Sequence, residues 1–147
     1  MTKRRNESEA RLLGVVEAAK GLAHPARLRL VAMLSSGELC VCQLTSVLEL
    51  APSTVSQHLS VLSRGGLVAE RKEGKLVFYR LRRDAVAGAI VAPLLDRLAS
   101  DPIAKADRAL VARLRRIPIA TLCAADLDLV AIGVRKQEAA SAAAPSA

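Results

Sequence analysis

Proline and glycine cut residues 24–81 into short pieces, and the apolar period changes from helical to alternating across Gly65-Gly66. This punctuation reads as several short helices followed by a hairpin. Before the first break, residues 7–23 carry Leu12, Val16, Ala19 and Ala23 at the spacing of one helical face. His24-Pro25 ends that helix, and Pro25 opens the next, whose apolar residues Leu28, Val31, Ala32 and Leu34 run to Ser35-Ser36-Gly37. A third helix is predicted over 40–48 with Leu44, Val47 and Leu48 inward. A fourth opens at Pro52 and ends at Gly65-Gly66, burying Val55, Leu59 and Leu62. Strands are expected over 67–71 and 75–81, around a turn at Lys72-Glu73-Gly74. The helical period returns at Asp84, with Val86, Ile90, Leu94 and Leu98 on one face and Val91 and Leu95 beside it, until Asp101-Pro102. A basic helix is expected over 104–116 and a short ordered segment within 122–134. The fold class is therefore mainly α with a β-hairpin.

The 147 residues suffice for one domain with a real core, and a hydrophobic share of 52% excludes a disordered chain. With one Phe, one Tyr and no Trp, small aliphatic side chains must fill that core, which suits close helices better than a β-sandwich. A net charge of +8 and a pI near 10.1 favour an anionic partner, nucleic acid or a membrane surface. The most apolar stretch, residues 85–95, is too short to span a bilayer and contains Pro93, so no membrane partner is expected. The opening Met1-Thr-Lys-Arg-Arg-Asn-Glu leads into no apolar signal core, and a cytoplasmic location is expected. In such a setting the three cysteines are expected to be free thiols or metal ligands rather than structural disulfides.

Two short helices joined by a tight turn, the second polar outside, form a helix-turn-helix pattern. Burying Val55, Leu59 and Leu62 leaves Ser53, Thr54, Ser56, Gln57 and Ser60 outward, short hydrogen-bonding side chains suited to base edges and phosphates in a major groove. His58 falls near the edge of the buried face, suited to packing or a phosphate contact. Arg71, Lys72, Lys75, Arg80, Arg82 and Arg83 make the hairpin a basic wing able to lie along phosphates. Any polar helix face can simply be solvated, but the helix pair, the basic hairpin and the basic charge agree on double-stranded DNA. Ala51 is a poor cap for the fourth helix, which must start on Pro52 and neighbouring contacts.

Cys40 and Cys42 carry the other chemistry. Successive helical residues turn by about 100°, which would put these two on opposite faces of a regular helix. Both sulfurs reach one ion only if Cys40 precedes the first turn or binding unwinds it. The segment leads into the recognition helix, so reshaping it would move that helix. Soft thiolates select trivalent arsenic or antimony, cadmium, lead or Cu(I). The plain alternative is that buried cysteines pack as small hydrophobes. Two thiolates rarely complete a site; Thr45 is not a soft ligand, and Cys123 reaches the pair only through the fold, from the same subunit or a dimer mate.

Residues from about 13 to 98 resemble the ArsR/SmtB family of metal-sensing repressors. The resemblance runs through Leu-Ala-His-Pro-Ala-Arg-Leu-Arg-Leu (22 to 30), Glu-Leu-Cys-Val-Cys-Gln-Leu (38 to 44), Ser-Thr-Val-Ser-Gln-His-Leu (53 to 59) and Gly-Lys-Leu-Val-Phe-Tyr-Arg-Leu (74 to 81). It implies a winged helix-turn-helix homodimer built on the first and last core helices. It also implies repression of a resistance operon, relieved when the inducer binds. The string around Cys40 and Cys42 is similar to the arsenite- and antimonite-responsive branch and to the cadmium/lead branch. The arsenite prototype has a third cysteine where this chain has Thr45, and the cadmium/lead sensors use N-terminal cysteines that this chain lacks. Cys123 is the natural substitute in a three-thiolate site with Cys40 and Cys42, taking As(III) or Sb(III) as inducer. No catalytic cofactor and no enzymatic activity are expected. A cadmium/lead-responsive or thiol-redox-responsive repressor is the alternative on the same fold. The expected organisation is a DNA-binding and dimerisation domain over 1–100, a helical extension over 101–135 and a disordered tail over 136–147.

Overall fold

The computed structural model describes residues 2–124. The ordered segment expected within 122–134 lies outside them beyond Ala124, as does the tail expected over 136–147. Helix α1 (Thr2–Leu22) leads into α2 (Pro25–Leu34), then a two-residue strand β1 (Leu39–Cys40). Helices α3 (Val41–Leu48) and α4 (Pro52–Arg64) precede the hairpin strands β2 (Val68–Glu73) and β3 (Leu76–Leu81). Helices α5 (Ala85–Leu98), α6 (Pro102–Leu114) and α7 (Ile119–Ala124) complete the order.

The punctuation read from the sequence acts as local chemistry predicts. Pro25, Pro52 and Pro102 occupy first-turn positions, where no amide hydrogen is required. The Asp84 and Asp101 carboxylates accept from the amides of Ala87 and Ala104 at 3.1 and 2.9 Å, capping α5 and α6. That cap starts α6 two residues before the predicted position. His24 caps α2 in the same way, its Nδ1 accepting from the Ala26 amide at 3.0 Å. Ala51 gives α4 no side-chain cap.

The strands form an antiparallel sheet in the order β1-β3-β2. The predicted hairpin is present, with Glu73 opposite Leu76, which moves the turn to Gly74-Lys75. Strand β1 was not foreseen, because two residues carry no period; it pairs Leu39 with Tyr79 and Cys40 with Phe78. Tyr79 is buried and donates from Oη to Glu70 Oε2 at 2.9 Å, and its burial pushes the phenol up to about 12.

Leu30, Met33, Leu34, Leu39, Leu44, Leu59, Leu62 and Leu67 are fully buried together, and α6 and α7 add Leu114 and Leu122 to the same cluster. Two predicted faces point elsewhere. On α1, Leu12 is 65% exposed and Val16 37%, while Ala18, Gly21 and Leu22 turn inward. Small residues win here because the helix crosses close to the end of α4: a Cβ on Gly65 would lie 3.0 Å from the Glu17 carbonyl oxygen. On α5, Ala87 and Val91 face the core and Val86 is exposed. Among the described residues no helix is long and apolar enough to cross a membrane.

Candidate DNA interface and thiol site

Helix α3 ends on Glu49 in a left-handed conformation (φ 55°), and residues 49–51 turn the chain into α4. Helix α4 buries Val55, Leu59 and Leu62. Ser53, Ser56, Gln57 and Ser60 are exposed and Thr54 is half-buried, so the polar face is open along the helix. His58 is half-buried, its Nδ1 3.3 Å from Arg27 Nη1 and its ring 4.5 Å from that of His24. Burial, with His24 and Arg27 nearby, holds its pKa below the usual histidine value.

The wing is basic but partly neutralised. Arg71 Nη2 donates to Glu38 Oε1 at 2.6 Å, Nη1 pairs with Glu73 Oε2 at 2.8 Å, and the guanidinium lies 4.5 Å from the Phe78 ring centre. Glu38 and Glu73 hold the Arg71 pKa above its ordinary value. Lys72 sits 3.9 Å from Glu70, and Arg82 pairs with Asp84 at 3.0 Å. Lys75, Arg80 and Arg83 are exposed, with no ion pair among the described residues.

Cys40 precedes the first turn of α3 in extended backbone (φ −75°, ψ 148°), one of the two arrangements the Cys-x-Cys spacing allows. Its side chain is buried at 1% exposure, and its amide donates to Gln43 Oε1 at 2.8 Å. Cys42, in the first turn, is disulfide-bonded to Cys123 of α7, with a Cα separation of 6.0 Å across 81 residues of chain. This corrects the expectation that all the cysteines would be free thiols or ligands. The structure joins Cys42 and Cys123 and leaves Cys40 in the core. No group of three His, Cys, Asp or Glu side chains among the described residues is placed to hold a metal ion. Thr45 is buried, its hydroxyl without a hydrogen-bond partner among the described residues.

Sequence reasoning missed what carries Cys123 to this place. Helix α6 lies along α2, where Arg29 Nε and Nη2 donate to Asp107 Oδ2 and Oδ1 at 2.7 and 2.8 Å. Beyond α6, Arg115 donates to the Glu38 carbonyl and to Ser36 Oγ, both at 3.2 Å. Asp107 sits on the inward face of an amphipathic helix, and that misplaced charge was the available signal.

Residues 24–70, which span the helix pair and reach the start of the first wing strand, match the profile of the bacterial regulatory protein, arsR family. A biofilm growth-associated repressor from Agrobacterium fabrum is 44% identical over 84 residues, 57% of this chain and 72% of that protein. The chain belongs to the arsR family. The arsenical resistance operon repressor of Escherichia coli is 45% identical over 67 residues, 45% of this chain and 57% of that protein. Reduced HlyU from Vibrio cholerae superposes with a TM-score of 0.53 at 42% identity, covering 65% of this chain and 98% of that one. The homodimeric winged helix-turn-helix DNA-binding domain of a possible ArsR-family regulator from Mycobacterium bovis superposes at 0.52 with 33% identity, covering 63% and 81%. This arsR-family chain is thus a winged helix-turn-helix regulator, and the family is not one of enzymes.

Proposed function

We propose that this chain represses transcription as an operator-binding homodimer, and that joining Cys42 to Cys123 lowers its affinity for DNA. The observation that carries the reading is the bond itself, which ties the first turn of α3 to α7. Helix α3 packs directly on the recognition helix α4, so a constraint on one biases the other. In the dithiol form that tether is absent and α3 is free to seat α4 in a major groove. Ser53, Thr54, Ser56, Gln57 and Ser60 would then face base edges and phosphates, His58 would steady the helix from its edge, and Arg71, Lys72, Lys75 and Arg80 would follow the backbone. The dimer is supported by exposed apolar side chains on α1 and α5, Leu12, Leu13, Val15, Val16 and Val86, and by the homodimeric relative from Mycobacterium bovis.

A second reading keeps the same thiols but gives them to trivalent arsenic or antimony, with Cys40, Cys42 and Cys123 as ligands. The likeness to the Escherichia coli arsenical repressor supports it. It requires Cys40 to leave the core of β1 and α3.

Fluorescence anisotropy on the protein's own promoter DNA separates the two. With reduced protein, an added small-molecule disulfide should weaken binding at least tenfold, and Cys42→Ser or Cys123→Ser should abolish that response while Cys40→Ser keeps it. Release by arsenite or antimonite alone, with all three cysteines required, would establish the second reading. Binding unchanged by every addition would defeat both.

A further inference from the structure

A disulfide forms readily between two particular thiols when something holds them together beforehand, and α7, which packs on α3, is a short helix to do so alone. It is six residues long, and Leu122 is its fully buried side chain. The strong attachment lies upstream, on α6. Asp107 is 6% exposed at its side chain and receives both donors of one edge of the Arg29 guanidinium, which is itself 33% exposed. Ala104, Val111 and Leu114 bury the rest of the same α6 face. A buried carboxylate with a bidentate arginine is costly to separate, because the Asp107 charge left alone in the core would be uncompensated. The contact spans 78 residues of sequence and involves neither cysteine.

We propose that the Arg29–Asp107 ion pair is a positioning latch: it holds α6, and with it Cys123, beside Cys42 in the dithiol form. Closure is then an intramolecular step within one subunit. The inference rests on the thiol reading above for its biological meaning, but its chemistry stands alone. One protein thiolate attacks a small-molecule disulfide, forming a mixed disulfide and releasing one small thiol. The second protein thiolate displaces the other small thiol and closes the Cys42–Cys123 bond. Two electrons and two protons leave the dithiol, and the small disulfide becomes two thiols. The second step depends on the effective concentration of one cysteine at the other, which the latch sets. Neither Arg29 nor Asp107 lies on the outward face of α4 or on the wing, so the latch acts on the thiols and not on DNA contacts.

The test uses the full chain without DNA, equilibrated with mixtures of oxidised and reduced glutathione, trapped by alkylation and counted by mass spectrometry. Asp107→Asn should lower the equilibrium constant for the Cys42–Cys123 bond at least tenfold, a shift of about 30 mV, with glutathione mixed disulfides accumulating. Arg29→Lys, which keeps the charge and loses the fork, should fall between that variant and the wild type. Val91→Ala, a buried substitution on α5, should lower thermal stability and leave the glutathione constant unchanged. The latch is overturned if Asp107→Asn folds by circular dichroism yet keeps the wild-type constant, or if Val91→Ala moves the constant equally. A wild-type pair that closes normally but leaves operator binding untouched would defeat the thiol reading and leave the latch standing.

Discussion

Glu38 Oε1 accepts from Arg71 Nη2 at 2.6 Å, tying the residue that leads into β1 to the first strand of the wing. Arg71 is therefore a cation already spoken for, held also by Glu73 and stacked on Phe78. Phosphates must compete with those carboxylates for it. Its partner's own pKa is lowered by the guanidinium, so Glu38 stays ionised below the usual carboxylate range.

Glu38→Gln should accordingly tighten binding to DNA several-fold at low salt, because Arg71 then has one carboxylate, Glu73, to leave rather than two. One further phosphate neutralised would steepen the slope of log K against log salt by about 0.9. Anisotropy titrations of reduced protein across a salt series measure both quantities. An unchanged slope would mean that Arg71 stays off the DNA in either variant.

The exposed apolar face of α1 predicts its own consequence. Burying a valine stabilises an interface by about 1.5–3 kcal/mol, and a two-fold interface uses each residue twice. A glutamate there would be buried without a partner. Val16→Glu should convert the dimer to monomer in sedimentation velocity, and operator affinity should fall on the order of a hundredfold as bivalent contact is lost. A Val16→Glu protein that still sediments as a dimer would place the interface elsewhere.

These cases show what the sequence could reveal. Pro25 and Pro52 act locally, so the starts of α2 and α4 were legible, while Pro102 reads as a stop and in fact opens α6 two residues before the expected position. The apolar stripe Val55, Leu59 and Leu62 turned inward as read. The outward serines of α4 followed from that stripe. What escaped depends on contacts across long stretches of chain. Arg29 meets Asp107 and Cys42 meets Cys123 across 78 and 81 residues of chain, and no periodicity announces a docking partner. Leu12 and Val16 form a genuine apolar stripe, but a stripe does not say whether its cover comes from the same chain. Arg71 reads as a wing cation until Glu38 is placed beside it.

Two glycines should respond in opposite directions to the same change. At Gly65 a Cβ would meet the Glu17 carbonyl oxygen at 3.0 Å and the Ala18 Cα at 3.4 Å, both backbone atoms that cannot rotate away. The lost chain entropy of the unfolded state offers about 0.4–1 kcal/mol in favour of alanine, but forcing α1 off α4 costs about 1–3 kcal/mol, so Gly65→Ala should destabilise. At Gly88, inside α5, a Cβ meets nothing within 4 Å, and Gly88→Ala should stabilise by about 0.5–1 kcal/mol. Urea unfolding midpoints of reduced protein would show both signs.

His58 supplies a pH dependence whose sign follows from its surroundings. Burial comes first among the causes that lower its pKa, followed by the nearby His24 and Arg27. Between the folded pKa and the usual value near 6.5, the unfolded chain binds more protons at this site than the folded one. Stability from this residue is therefore fully present above that usual value and declines as pH falls through the window beneath it. His58→Gln, which cannot titrate, should flatten this part of the curve while His24 and Arg27 remain. Urea midpoints at pH 7.5 and 5.5 should differ less in the variant than in the wild type. Equal differences would assign the acid sensitivity to other groups, with His58 serving only to steady α4 against the start of α2.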